Sequence, residues 1–457
     1  MAMRDDAQRP DWLPWIAGAV TVALGLLFLI LMPPLYNPDE MNHLYRAEQI
    51  SRGELLGRRI GTDRTEAGGT IDGNLMAAFV PYISAQINRS PPPPSIRELP
   101  EAAIKWGGPA MTIDFRNTAI YPPYFYLPSV AAILGGKALG ASIHQTFYAA
   151  RLLNLLAAVA VLVTALALFR TGRTVAATLL LFPTAVSQYA AVSQDGLLIT
   201  VGALAAALAS RPLSERRAAT GVEIAWITAL LALLFVTRPP LVPLALLPWA
   251  LARRPLAPWS ILPTLGLVAV TAGWSLYAGT TIKVPWWASP FHYSMTEQLT
   301  GILTSPATYG GVLWRTMSDL GHGYLLQAVA VFGLLDVFLP GWVYGVAALG
   351  IGLALLRDGH AASGGNGLFR GTGLIAVAGT WLLIMTIQYL DFSPVGFAHI
   401  LGVQGRYFLT PALFLGLLLP HWRLPAPLAA LSAGAPFLTP VLAAATLPTT
   451  IALHYAT

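Results

Sequence analysis

The sequence predicts an all-α, polytopic membrane protein with about eleven transmembrane helices in one domain over 1–457, and three observations carry that expectation. Charged residues make up only 11% of the 457, against roughly 25% in soluble domains. Hydrophobic residues reach 55% and the mean hydropathy is +0.62, too apolar to be hidden in ordinary cores. The apolar residues fall in runs approaching the ~20 residues that cross a bilayer. The chain has no cysteine, which excludes disulfides, thiolate metal sites and cysteine nucleophiles. Its net charge of +6 is scattered between apolar runs instead of clustering on a soluble face, so nucleic acid is not an expected partner.

The first run, 12–34, follows a short polar head with Arg4 and Arg9. It is too long for a signal peptide and lacks the small-residue cleavage site. Further runs lie near 147–169, 174–191, 196–210, 222–237, 240–252, 258–279, 341–356, 371–390, 407–420 and 425–447. Short loops rich in Arg stay cytoplasmic; Arg170 and Arg173, Arg211 to Arg217, Arg253 and Arg254, Arg357 and Arg370, and Arg423 all fall on one side if 122–140 lies along the membrane or re-enters it. The opposite face is then made of a long first outer loop over 35–121, a second over 280–340, and turns at 192–195, 238–239 and 391–406. Pro91 to Pro94 read as a stiff polyproline II stretch. Trp286, Trp287, Phe291 and Tyr293 read as an interfacial aromatic belt, with sugar stacking the alternative.

Polar residues concentrate on that outer face. Directly after the first run comes Asn37-Pro38-Asp39-Glu40-Met41-Asn42-His43, then Arg46. Helix capping is one reading, with Asn37 as N-cap and Glu40 closing a capping box. A catalytic patch is the other: Asp39 and His43 are four apart and Glu40 and His43 three apart, on adjacent helical faces. Capping accounts for one carboxylate but not for two followed by His and Arg, which favours chemistry, with Asp39 the better base. The second cluster is Gly402-Val403-Gln404-Gly405-Arg406-Tyr407. The Arg406 fork suits paired phosphate oxygens, and the flanking glycines allow close backbone approach to a ligand. An anchoring arginine among headgroups is the plainer reading. Asp195 beside Gly196 is a turn former and Arg238 a helix C-cap, unless both face the site. Tyr121, Arg151 and Asn154 are placed along a cleft, and His322 at the surface. A divalent metal would need His, Asp or Glu, and no ligand spacing argues for one.

The Pro38-Asp39-Glu40 element with His43, Tyr121-Pro122-Pro123, Ser193-Gln194-Asp195-Gly196 and the GVQGRY string at 402–407 resemble a bacterial family of multispan membrane proteins of unknown function, itself similar to the GT-C glycosyltransferases. The resemblance runs from about residue 30 to 420. It implies a GT-C helical bundle in the bacterial inner membrane with a periplasmic active site, and an Asp or Glu of the first outer loop acting on the acceptor, here Asp39 with Glu40 beside it. The donor it implies is a polyprenyl-phosphate-linked sugar and the acceptor a glycan or lipid hydroxyl, with inversion at the anomeric carbon. His43, Arg46, Tyr121, Asp195, Arg238, Gln404, Arg406 and Tyr407 are then substrate-binding candidates, and a divalent metal stays open. No soluble domain is expected after the last run, which argues against a large protein acceptor. The rival class is a transporter or flippase of a lipid-linked saccharide. Mid-membrane ionisable residues are its usual mark, and the runs hold almost none.

Overall fold

The computed structural model describes residues 11–88, 93, 99–285, 291–362 and 367–456. The readings on Arg4, Arg9, Trp286, Trp287 and most of the Pro91–Pro94 run lie outside them. Helix α1 (Leu13–Leu31) leads into an outer segment of α2 (Glu40–Ser51), strands β1 (Arg58–Ile60) and β2 (Glu66–Asp72), α3 (Gly73–Asn88) and β3 (Ala110–Asp114). Helices α4 (Leu127–Leu139), α5 (Ile143–Leu168), α6 (Arg173–Leu180), α7 (Pro183–Tyr189), α8 (Asp195–Ser214) and α9 (Gly221–Thr237) follow. The remainder comprises α10 (Leu246–Leu251), α11 (Leu262–Thr281), α12 (Met295–Thr304), α13 (Pro306–Ala330), a two-stranded ribbon of β4 (Val331–Phe332) and β5 (Val337–Phe338), α14 (Gly341–Ala361), α15 (Gly367–Phe392), α16 (Leu409–Ala412), α17 (Ala426–Leu431) and α18 (Ala435–Ala456).

The protein is mostly helical and multispan. Among the described residues seven helical stretches are long and apolar enough to cross a membrane: α1, α5, α8, α11 with the turn ahead of it, α14, α15, and α17 with α18. The other four expected runs break up or fall short. Run 174–191 splits into α6 and α7 at Pro183, run 240–252 into a 3-10 turn and α10, and run 407–420 into two 3-10 turns flanking α16. Proline removes a helical donor and crowds the preceding turn, and Pro183, Pro243 and Pro411 sit in these runs. Helix α9 keeps 17 residues. Helix α4 has 13 residues, about 20 Å of rise, and packs on α5 and α2. Residues 280–340 carry the helices α12 and α13, which hydropathy alone passes over because Arg315, Asp319 and His322 dilute it.

Helix α5 is central, packed against α1, α4 and α8. Its start is fixed by a capping box in which Ser142 accepts from Gln145 N and Gln145 accepts from Ser142 N, satisfying two orphan donors. Within the α8 span 72% of residues are buried, against 22% for α11, so α8 lies inside the bundle and α11 on its rim. Large apolar side chains such as Trp15, Ile30, Trp226, Leu276 and Trp314 stay exposed, as a lipid-facing surface requires.

The first outer segment departs from an all-α reading. It holds an antiparallel sheet ordered β1-β2-β3, with Gly68 opposite both Arg58 and Asp114. A β-carbon at Gly69 would stand 2.0 Å from Gln49 Nε2, so α2 seats directly on β2. Asp72 clamps the loop before β3 through Gly107 and Gly108 N–H. The chain leaving β3 then returns to α2, where Thr118 Oγ1 donates to the Asn42 carbonyl at 2.9 Å. These contacts put residues 115–121 beside the start of α2.

Candidate functional site

Helix α2 begins at Glu40, and Asp39 is its N-cap in the left-handed region, φ +60°. Such strain persists where the surroundings hold it. With Asp39 as N-cap, Glu40 is the first helical residue and not the third, so the expected Asn37–Glu40 capping box does not form, and the Asp39 side chain makes no capping hydrogen bond either. Instead Asn117 Nδ2 donates to Asp39 Oδ1 at 2.9 Å, and Asn42 Nδ2 donates to Asn117 Oδ1 at 2.8 Å. A carboxylate only accepts, which fixes the direction of both amides.

Glu40 turns the other way. It is fully buried, and both its oxygens receive the Arg151 guanidinium, at 2.8 and 2.6 Å. Val192 N–H adds a third short bond at 2.9 Å, and Asn37 Nδ2 donates a longer one to Oε2 at 3.4 Å. Arg151 also donates to the Met32 and Pro33 carbonyls, so the pair ties the α1–α2 corner to α5 and α7–α8. Asn154 likewise is an internal strut, donating to Ala191 O; neither Arg151 nor Asn154 lines a cleft. Arg46 is fully buried and donates to the Tyr121 and Leu55 carbonyls and to Gln49. It holds the returning chain and is not among the residues that line the pocket beside Arg406.

Arg406 sits on a 3-10 turn, Gly405–Phe408. That turn lies so close to α13 that a β-carbon at Gly405 would be 2.1 Å from the Tyr324 carbonyl oxygen, and Gly405 N–H donates to Gln327 Oε1 at 3.0 Å. The glycine therefore serves helix contact, and Gly402 serves a left-handed turn, φ +77°. Arg406 Nε is 3.1 Å from Asp195 Oδ2, and Nη2 is 3.4 Å from Asp39 Oδ2. The first contact is too poorly aligned for a hydrogen bond, leaving Nε and Nη1 buried without hydrogen-bond partners. Arg238 donates to Asp195 Oδ1 at 2.7 Å and to Tyr121 Oη at 2.8 Å. The Tyr407 ring lies 5.1 Å from the Arg238 guanidinium and 5.5 Å from that of Arg406, within cation–π range. Asp39, Asp195, Arg238 and Arg406, drawn from four distant parts of the chain, thus form one cluster whose formal charges cancel.

His43 packs beneath it, its Nδ1 2.7 Å from Tyr126 Oη and its ring stacked on Tyr121. Burial pulls its pKa down to about 4, against the opposing pull of Asp195 and Asp39, so it is neutral at physiological pH. Burial likewise keeps Tyr121 a phenol.

Beside the cluster is a cavity of about 50 Å³. Its polar end is Asp195, Arg238, Gln388, Arg406 and Tyr407, and its other wall is Leu198, Ile199, Leu241 and Ile384 from α8, the 3-10 turn at Pro239–Ala245, and α15. Gln404 lines a smaller void behind Arg406, with Gln188 and Gln327. The Oε1 atoms of Gln188, Gln388 and Gln404 have no partner. Among the described residues no group of three His, Asp or Glu is placed to hold a metal.

Sequence reading did not single out Asn42 within the Asn37–His43 cluster, and it missed Asn117, Gln188 and Gln388, which carry no motif of their own; only the sheet and the helix crossings bring those three in. Neither the curated proteins nor the solved structures contain a match to the chain. The family described as predicted membrane protein (DUF2142) matches residues 22–415. The chain belongs to that family of membrane proteins.

Proposed function

We propose that the protein is an inverting membrane glycosyltransferase, moving a sugar from a polyprenyl-phosphate donor to a hydroxyl of a glycan or lipid-linked acceptor on the periplasmic side of the bacterial inner membrane. The observation that carries the reading is Arg406: a residue 4% exposed, with Nη1 unpartnered and Nε meeting Asp195 only as an ion pair out of hydrogen-bond alignment, at the edge of a cavity walled by spanning helices. A buried unsatisfied donor is costly, and a lipid phosphate offers it acceptors while its chain follows the apolar wall.

In this scheme the acceptor oxygen attacks the anomeric carbon, the bond from that carbon to the phosphate oxygen breaks, and the phosphate leaves with the electron pair. Arg406 and Arg238 stabilise the departing charge where water is scarce. Asp39, its side chain 39% exposed, takes the acceptor proton, a contribution of about 10²–10⁴-fold. Tyr121 and Asp195 hold Arg238; Tyr407 lies against both guanidinium groups.

The test is transfer from defined polyprenyl-phosphate sugars by purified protein, with and without chelator. Asp39→Asn is expected to abolish transfer at unchanged folded yield, and Arg406→Lys to weaken donor binding. A deletion strain whose glycan lacks one sugar fits transfer. Loss of the whole surface polymer with no transfer in vitro rejects it in favour of transport.

A further inference from the structure

Helices α8 and α9 pack against each other and run antiparallel. Asp195 opens α8 and Arg238 caps the end of α9, both at the site, so the other ends of these helices lie about 30 Å away for 20 residues of α8. That is the thickness of a hydrocarbon core. At this far end is a cavity of about 420 Å³ lined by Gly221, Arg253, Arg254, Trp259, Ser260 and Pro263.

The loop around it is built. Trp249 Nε1 and Ser260 Oγ both donate to the Pro255 carbonyl, at 2.8 and 2.6 Å, and Ala219 N–H donates to Leu251 O at 2.9 Å. The result presents Arg253 and Arg254 together. Among the described residues neither guanidinium has an ion pair or a side-chain hydrogen bond, whereas neighbouring Arg217 is engaged by Glu215 and Glu223. Among the described residues no carboxylate lines the cavity. Trp259, which lines the cavity, and Leu262 at the start of α11 are both more than 60% exposed, an apolar and aromatic surface at the level where headgroups meet acyl chains.

We propose that this cavity binds the phosphate headgroup of an anionic phospholipid from the leaflet opposite the candidate site. Arg253 and Arg254 pair with the phosphate, and the acyl chains lie along the exposed faces of α9 and α11. Two unpartnered arginines in a pocket between membrane helices supply the charge, and the exposed apolar edge of Trp259 and Leu262 distinguishes a lipid from free phosphate. The assignment is independent of the transferase reading.

The experiment is native mass spectrometry of the purified full chain with phosphatidylglycerol, cardiolipin or phosphatidylcholine added, repeated with excess inorganic phosphate. One anionic lipid is expected to be retained in preference to phosphatidylcholine. Arg253→Ala with Arg254→Ala is expected to weaken it about 30-fold, at ~1 kcal/mol for each basic residue near a membrane surface. Gly221 has open space where a β-carbon would go, so Gly221→Leu fills the cavity without touching charge and is expected to displace the lipid too. Retention of anionic lipid in both variants overturns the proposal, as does equal displacement by inorganic phosphate alone.

Discussion

Adjacent carboxylates in opposite settings, one buried and one partly exposed, give the sharpest test of the site. Glu40 accepts three hydrogen bonds at 2.6 to 2.9 Å from Arg151 and Val192, and both ionic side chains are fully buried. Glu40→Gln keeps the shape but leaves the Arg151 guanidinium without a counter-charge and sets an amide N–H₂ against its donors. Breaking a buried pair from one side costs about 3–5 kcal/mol. At ~2.1 cal/mol/K per residue, the 457 residues convert that to a fall of about 3–5 °C in the melting temperature of the detergent-solubilised protein. Asp39→Asn removes one 3.4 Å contact from a side chain 39% exposed, which is worth under about 1 kcal/mol. Removing both buried charges together, Glu40→Leu with Arg151→Met, is expected to recover part of the loss. A Glu40→Gln protein that melts with the wild type refutes the scaffold role, and one that also loses all transfer moves the base from Asp39 to Glu40.

Three further outcomes follow from the same geometry. Asn117→Leu, which removes the 2.9 Å hydrogen bond to Asp39, is expected to lower kcat about tenfold with little change in donor KM, since one hydrogen bond to a charged group is worth roughly 1.5–3 kcal/mol; an equal rise in KM with kcat intact refutes the orienting role. Gly405→Ala drives a β-carbon into the Tyr324 carbonyl and is expected to cost about 1–3 kcal/mol of stability and to displace Arg406, read as loss of donor binding. His43 is held neutral, with a pKa near 4 against about 6.5 when unfolded. The unfolded chain therefore binds the extra proton between those values, so stability is complete above pH 6.5 and falls as pH drops toward 4, by up to about 3 kcal/mol. His43→Phe is expected to remove that slope from a thermal-shift series; an unchanged slope assigns it elsewhere.

How much of this was legible in the sequence differs from residue to residue. Asp39 and Arg406 stood out because ionisable groups at span ends are conspicuous in a chain so poor in charge, and the structure joins them across 367 positions. A structural place for Glu40 was legible, but as a capping box; its actual partner was not, because Arg151 interrupts the apolar run of α5 without any local sign that it faces inward. Hydropathy located the spans that form single long helices but not the breaks at Pro183, Pro243 and Pro411, since a window average is indifferent to the position of a missing N–H. The sheet escaped for another reason: Gly68 and Gly69 are poor strand formers, chosen here because Gln49 and the Ile113 carbonyl leave no room for a side chain.

The charge balance of the cluster also explains why so exposed a residue as Asp39 accompanies so buried a one as Arg406. Two guanidinium groups at a membrane boundary are expensive unless neutralised, and Asp195 sits between them, hydrogen-bonded to Arg238 and within ion-pair reach of Arg406. Asp39 supplies the remaining charge through the longest of the three ion-pair contacts, 3.4 Å, so it is the partner most readily exchanged. On the proposed reading an entering donor phosphate takes over Arg406, and Asp39 is released as a free carboxylate at the moment an acceptor needs a base. Asp39→Asn then has two opposite effects: transfer is lost, yet the donor binds more tightly because a competitor for Arg406 is gone. A partly exposed pair is worth at most about 1 kcal/mol, so the gain is up to about fivefold, measurable by equilibrium binding of a fluorescent polyprenyl phosphate. Weaker donor binding in that variant means that Asp39 helps hold the donor, and the exchange of partners at Arg406 is then wrong.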